Sequence, residues 1–424
     1  MPAHREIRPI LHALNAAVCV PGSKSLTNRA LLIASLAEGE SRITNALFSD
    51  DSRYFAGALQ ALGFRVGLDE TRSEMTVLGT GGRIPAERAE IFIGNAGTAA
   101  RFLTALLTLG QGEYVLDGES RMRERPIDDL VSALNQLGAS AEAATGCPPV
   151  RIHASGLEGG SATLAGNISS QFLSALLMVA PCAREPVEIE LSTPLSSRPY
   201  AALTLRVMRD FGVEVEHQEY QHFHIQPARY RCRDSYSIEP DASAASYFFA
   251  APAVCGGCVR VMGLSRSAAQ GDLAFLDILQ DMGCLVTEGQ GYVEVRGGNP
   301  LTGVDVDLSD IPDTAQTLAV LAPFAETPTR IRGIAAARLK ETDRVHATCA
   351  ELSRLGVRVE EHADGMTIHP CERLQPAIIR TYGDHRMAMA FSLIGLRNPG
   401  VIIQDPACVS KTFPTFFEVL ESLR

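Results

Sequence analysis

At 424 residues the chain is too long for one ordinary hydrophobic core and calls for about two large domains. Its hydrophobic fraction of 46% and charged fraction of 21% are those of a soluble globular protein, and no run of ~18 apolar residues goes unbroken, which excludes a membrane-spanning helix. A net charge of −11 removes the basic surface that nucleic-acid binding requires, so any anionic ligand has to meet local positive charge.

The first segment, residues 1–21, carries His4, Arg5, Glu6 and Arg8 without the long apolar stretch of a signal peptide or the Arg- and Ser-rich character of a transit peptide, and a cytoplasmic location is expected. Val20 to Ser35 then reads VPGSKSLTNRALLIAS. It is not a Walker A loop, since no glycine stands five residues before Lys24. It reads instead as a turn at Gly22 and Ser23, a cap at Ser25, and a helix from Leu26 to Ala37 that stops at Gly39. Ser25 and Arg29 share a face four residues apart, and the helix N-terminus favours an anion beside Lys24.

Further along, one phrase recurs, an apolar helix ending in glycine and followed by an alternating strand. It reads ALQALGFRV, SALNQLGASAE, RVMRDFGVEVE, DILQDMGCLVTE and AELSRLGVRVEE, with glycines at 63, 138, 212, 283 and 356. A second series of helices, apolar on nearly every face, starts near Ser25, Thr98, Ser170, Asp241, Asp313 and Asp384. Steps of 71 to 75 residues in both series make this an internal repeat of six units, each with one buried and one amphipathic helix covered by strands. The sixth amphipathic helix, FPTFFEVLESLR, reaches Arg424 without its own strand, and the segment from about Arg5 to Val20 is the natural donor. The units then divide three and three, into a domain of residues 22–238 and a domain of residues 1–21 with 239–424.

Cysteine and histidine add little chemistry. Cys255 and Cys258 in CGGC have no second pair to complete a zinc site, and reduced thiols are expected; His222 and His224 in HFH alternate as strand residues do. Cationic side chains do concentrate near the starts of the buried helices: Arg101, the run Arg121, Arg123 and Arg125, then Lys340, Arg344, Arg386 and Lys411. Such positions suit small ligands with several negative charges.

The motifs PGSKSLTNRAL, GNAGTAARFL, DGESRMRERPIDDLVSAL, SSQFLSALLM, EPDASAASYF, IPDTAQTLAV, RLKETDR, DHRMAMAFSL and KTFP, spread in order from residue 21 to residue 414, closely resemble the 5-enolpyruvylshikimate-3-phosphate synthase family. The resemblance implies an α/β fold of two similar domains, each of three βαβαββ units (an inside-out α/β barrel), with the active site between them. It implies transfer of the enolpyruvyl group of phosphoenolpyruvate to the 5-hydroxyl of shikimate 3-phosphate, by addition at C2 and elimination of phosphate, in chorismate and aromatic amino acid biosynthesis. By position, Lys24, Ser25, Arg29, Ser169, Ser170, Gln171, Ser197, Tyr200, Asp313 and Lys340 would hold shikimate 3-phosphate. Lys24, Asn95, Gly97, Arg125, Gln171, Arg344, Arg386 and Lys411 would hold phosphoenolpyruvate. Asp313, Glu341 and Lys24 would move protons, and neither cofactor nor metal is implied. The partners expected are these two substrates alone, bound to a monomer.

Three residues depart from the family pattern. Ala336 stands where an Asn often precedes the Lys340 loop, so one polar contact to the shikimate phosphate is expected to be missing, and Ala100 and Phe102 replace the Met and Pro of NAGTAMRPL. The alternatives are UDP-N-acetylglucosamine enolpyruvyl transferase, which typically has Lys-Asn in the first loop and a reactive Cys where this chain has none between Cys19 and Cys147, and a non-catalytic binder of a phosphorylated ligand. Two further expectations follow from the family reading. A cation-lined cleft would be held open by its own repulsion until polyanions close it. Glyphosate would compete with phosphoenolpyruvate beside Gly97, and Gly97→Ala would weaken the inhibitor far more than the substrate.

Overall fold

The computed structural model describes residues 3–298 and 300–424. Met1, Pro2 and Asn299, which fall within the expected domain ranges, lie outside them. The repeat appears as six pairs of helices in chain order: α1 (Lys24–Leu36) with α2 (Asp50–Ala61), α3 (Gly97–Leu107) with α4 (Asp128–Gln136), α5 (Ser170–Val179) with α6 (Arg198–Asp210), α7 (Ala242–Cys255) with α8 (Phe275–Asp281), α9 (Ala315–Leu321) with α10 (Arg344–Arg354), and α11 (His385–Gly395) with α12 (Phe416–Glu421). The first of each pair is the buried helix. All eleven residues of α3 and all eleven of α11 are buried, as apolarity on every face requires.

Each of the five recurring glycines ends an amphipathic helix in a left-handed conformation. Their φ angles are +86° at Gly63, +91° at Gly138, +88° at Gly212, +102° at Gly283 and +86° at Gly356. A Cβ would be strained there, whereas glycine turns the chain so that the next N–H reaches back into the last helical turn, as Phe64 N does to Leu59 O at 3.0 Å and Val357 N to Leu352 O at 3.1 Å. The chain then enters its strand.

One sheet plan repeats. A first strand runs parallel to a second across the buried helix, and a hairpin after the amphipathic helix adds two antiparallel strands. In the second unit Arg88–Phe92 pairs parallel with Gln111–Asp117, which pairs antiparallel with Val150–Ser155 and through it with Ala141–Glu142. In the first unit the parallel strand comes from the far end of the same domain, Tyr236–Ser237 beside Ile43 and Thr44. The sixth unit is completed by His4–Glu6, antiparallel to Val401–Gln404 in a three-stranded sheet. The N-terminal segment also does a second job that the repeat alone did not reveal: Leu14–Val18 is the parallel first strand of the fourth unit, beside Gly257–Val261.

The chain separates into two compact units, Gly22–Ile238 and Glu239–Arg424 with the segment ending at Pro21. In the first, α3 packs against both α1 and α5; in the second, α7, α9 and α11 pack mutually. Each core is therefore a bundle of three apolar helices walled by sheets, and the starts of those helices collect the residues of interest.

Candidate active site

In the unit Gly22–Ile238, the cap of α1 is Ser23 rather than Ser25: its Oγ accepts from Leu26 N at 3.5 Å. Gly22 is pressed against the carbonyl of Asn45, where no side chain fits, and the helix begins directly after Ser23, which places Lys24 and Ser25 inside the first turn. Lys24 Nζ lies 3.3 Å from the Asp51 carboxylate, a partner in the first turn of α2 that sequence reasoning passed over. Arg125 donates to Asn95 Oδ1 at 3.1 Å and to its carbonyl at 3.3 Å. A Cβ on Gly97 would overlap the same guanidinium, so the absent side chain is what admits Arg125.

On α5, Ser169 is the cap and accepts from Gln171 N at 3.2 Å, while the Gln171 amide donates to Thr98 Oγ1 at 3.4 Å. Ser197 takes a left-handed conformation, φ 56° and ψ 47°, at the entrance to α6. That is rare and costly for a residue with a side chain, and such strain concentrates at functional loops. Tyr200 N closes this turn onto Ser197 O at 3.0 Å.

Arg29 is placed differently from a ligand-facing cation. It is 2% exposed, and it donates to Thr204 Oγ1 at 2.7 Å, Ser174 Oγ at 3.1 Å, Tyr200 O at 3.1 Å and Ser25 O at 3.0 Å, over the ring of Phe102 at 5.2 Å. Burial pulls its pKa down to about 10. As placed it fixes the backbones of Ser25 and Tyr200, and the family departure at Phe102 supplies the surface beneath it. Arg101 is likewise buried, donating to Gly97 O and Pro126 O, and Arg121 and Arg123 form exposed pairs with Glu124 and Asp117. Those three support the loops; Arg125 is the one of the run that meets Asn95.

The unit containing Glu239–Arg424 holds a denser cluster. Arg344, 4% exposed at the start of α10, donates to Asp384 Oδ2 at 2.7 Å, Glu341 Oε2 at 2.8 Å and Asp313 Oδ1 at 3.0 Å. Arg386 donates to the second oxygen of Asp313 at 2.7 Å and to the Tyr247 hydroxyl at 3.4 Å. Lys411 Nζ stands 3.8 Å from Glu341 Oε1. Lys340 is half-buried at the end of the short helix Ala335–Leu339, which also carries Ala336. Burial pulls the pKa of Arg344 down, but the charges of Asp384, Glu341 and Asp313 more than offset it and hold the guanidinium protonated. Asp384 and Tyr247 were not anticipated as site residues, although Asp384 marks the sixth repeat where Asp313 marks the fifth.

These contacts correct one expectation. Arg344, Arg386 and Lys411 are matched by Asp313, Glu341 and Asp384, and Lys24 is matched by Asp51, so the cations do not stand as bare positive charge whose repulsion would drive motion. Four of the six buried helices have a side-chain cap, at Ser23, Ser169, Asp241 and Asp384, whereas α3 follows Ala96 and α9 follows Thr314 without one. Elsewhere, His222 and His224 lie on the strand His222–Ile225, and all ten cysteines are free. Among the described residues no group of three or more His, Cys, Asp or Glu is placed to hold a metal ion.

Asp272, also unanticipated, is buried and accepts from Ser243. Burial, reinforced by the charge of Asp313, pushes its carboxyl from 3.8 up to about 6. Between those values the folded chain holds a proton that the unfolded chain has lost, so stability falls as pH rises from about 4 to 6. Asp272→Asn should therefore gain on the parent as pH rises across that window, by on the order of 3 kcal/mol above pH 6. Denaturant titrations of both proteins at pH 4 and pH 7 measure this; an unchanged difference between them would remove the assigned cause.

The chain matches the model of the family described as EPSP synthase (3-phosphoshikimate 1-carboxyvinyltransferase) over residues 10–420. It belongs to the EPSP synthase family. A protein of Trichormus variabilis named 3-phosphoshikimate 1-carboxyvinyltransferase is 51% identical over 407 residues, 95% of each chain, and one from Sulfurovum sp. is 50% identical over 421 residues, 98% of each. The structure of EPSP synthase from Acinetobacter baumannii matches with a TM-score of 0.82 at 25% identity, across 99% of this chain and 97% of that one. The six repeated units, five with four-stranded sheets and the sixth with three strands among the described residues, thus share the EPSP synthase fold. In this chain Ala336 lies in the short helix Ala335–Leu339, and Ala100 and Phe102 are fully buried in α3.

Proposed function

We propose that the chain is a 3-phosphoshikimate 1-carboxyvinyltransferase, taking phosphoenolpyruvate and shikimate 3-phosphate and releasing phosphate. The observation that carries the reading is Arg344 clasped by Asp313, Glu341 and Asp384, with Arg386 and Lys411 completing the cluster. Acid–base work on a polyanion needs ionised carboxylates and fixed cations side by side, and the cluster supplies both.

The reaction forms a bond from the 5-hydroxyl oxygen to C2 of phosphoenolpyruvate while C3 gains a proton; C3 then loses a proton as the C2–O bond to phosphate breaks. In our reading Arg344, Arg386 and Lys411 hold phosphoenolpyruvate, together with Lys24, Asn95, Gly97, Arg125 and Gln171. Lys24, Ser25, Arg29, Ser169, Ser170, Gln171, Ser197, Tyr200, Asp313 and Lys340 serve shikimate 3-phosphate, with Arg29 acting through the backbones it fixes. Arg344 and Arg386 each hold one oxygen of Asp313. A substrate anion that takes their N–H groups frees Asp313 to accept the hydroxyl proton, so binding itself prepares the base. Glu341, held near Arg344 and Lys411, and Lys24, held near Asp51, move the C3 proton. The reading takes the enzyme as a cytoplasmic monomer without cofactor; no helix among the described residues is long and apolar enough to cross a membrane.

Incubation with phosphoenolpyruvate and shikimate 3-phosphate should release phosphate, and UDP-N-acetylglucosamine should not replace the shikimate substrate. Release only with the nucleotide sugar would make the chain the other transferase, and release with neither would make it a binder.

A further inference from the structure

A pocket lies along α2. One face of that helix, with Asp50, Tyr54, Gly57 and Ala61, and the residues Glu90, Ile91 and Phe92 of the edge strand Arg88–Phe92 line an open pocket of about 430 Å³. The rings of Tyr54 and Phe92 meet edge-on with centroids 6.2 Å apart, and Phe92 is 56% exposed, a large apolar surface left facing solvent. The carboxylates of Asp50 and Glu90 share the lining, while the one cation there, Arg53, pairs with Glu70 at 2.5 Å. Burial first, then the charges of Glu119, Asp50 and Asp51, push the Tyr54 hydroxyl up. Aromatic walls with carboxylates in the lining favour a cation with an apolar body.

The pocket also touches the machinery at two places. A Cβ on Gly94, at φ +54°, would come within 2.6 Å of the Tyr54 ring, so this ring already abuts the residue that leads into Asn95, Ala96 and Gly97. Asp51, next to Asp50, holds Lys24. The Tyr54 ring thus stands between the pocket lining and the backbone that leads to Asn95, the partner of Arg125.

We propose that this pocket binds a small arylalkylamine and that its occupation lowers affinity for phosphoenolpyruvate, the second half of which rests on the enzyme reading above. Phenethylamine is the probe. Calorimetric titration of the full chain should show saturable 1:1 binding, weakened roughly tenfold by Phe92→Ala and by changing the probe to 3-phenylpropionate, which keeps the ring and reverses the charge. Gly57→Leu should abolish binding: Gly57 lines the pocket and a Cβ there meets nothing within 4 Å, so a side chain can start at this position and grow into the opening. Phenethylamine should raise the KM for phosphoenolpyruvate in the parent and not in Gly57→Leu, with basal turnover the same in both. No saturable heat, equal binding of 3-phenylpropionate, or binding that survives Gly57→Leu overturns the site. An unchanged KM at saturating phenethylamine overturns the coupling, and a chain inactive with phosphoenolpyruvate fails the enzyme reading while leaving the calorimetric result to stand or fall by itself.

Discussion

Arg344→Ala is expected to cost the protein both its turnover and several kilocalories of stability. Arg344 is the common partner of Asp313, Glu341 and Asp384, and Asp384 has no exposed side-chain surface. Removing Arg344 leaves the fully buried Asp384 without its guanidinium partner, while Asp313 keeps Arg386 and Glu341 keeps Lys411, and breaking a buried pair of this kind costs about 3–5 kcal/mol. It also removes a fixed donor from the place where a substrate anion would sit, worth roughly 10²–10³-fold in turnover. Arg344→Lys keeps the charge but not the planar fork that serves three carboxylates, so it should recover part of the stability and little of the rate. Thermal unfolding and phosphate release measured on the same preparations give both numbers. A stable, active Arg344→Ala protein would dissolve the site as assigned.

Gly97→Ala is expected to raise the KM for phosphoenolpyruvate roughly tenfold or more, because the methyl displaces Arg125 from its contact with Asn95 and a charge-assisted bond is lost. In the expectation drawn from sequence the methyl acts far more on the longer inhibitor than on the substrate. Arg125 stands in the way first, so the substrate must suffer as well, whatever the added loss for glyphosate. The obstructing atoms are the tip of a flexible side chain, so the fold should survive and the affinity for shikimate 3-phosphate should hold. A double-mutant cycle isolates the cause: in an Arg125→Ala background Gly97→Ala should add little. Full additivity of the two changes would show that the methyl acts elsewhere.

The parts of the fold that were legible are those governed by local chemistry. Helices apolar all round can only be buried, and glycines 63, 138, 212, 283 and 356 end helices for a reason that needs no knowledge of the rest of the chain. The six-unit count followed, as did the donation of an N-terminal strand to the unit that lacks one. What escaped was set at a distance. That Leu14–Val18 serves a second sheet depends on residues 257 to 261, and the close approach of the Asn45 carbonyl to Gly22, just before the Ser23 cap, spans more than twenty residues. The candidate cations were visible as a class, but not their partners. Asp313 and Asp384 reach Arg344 across 31 and 40 residues, and nothing in the sequence separates Arg29, held wholly inside, from Arg125, which meets Asn95.

The borrowed strands also set an order for manufacture. The stretch from Gly22 to Ile238 contains every strand its sheets need, including Tyr236–Ser237 for the first of them, so it is complete once residue 238 has left the ribosome. Its neighbour is not. The strand His4–Glu6 is made about 400 residues before its partner Val401–Gln404, and at typical bacterial or eukaryotic elongation rates that interval is roughly 20–80 s. Leu14–Val18, a nearly apolar strand, has no partner until residues 257–261 arrive. A nascent chain stalled between residues 238 and 257 is one finished domain preceded by unpaired β-edges, which makes the N-terminal segment the place where chaperone capture or edge-to-edge aggregation begins.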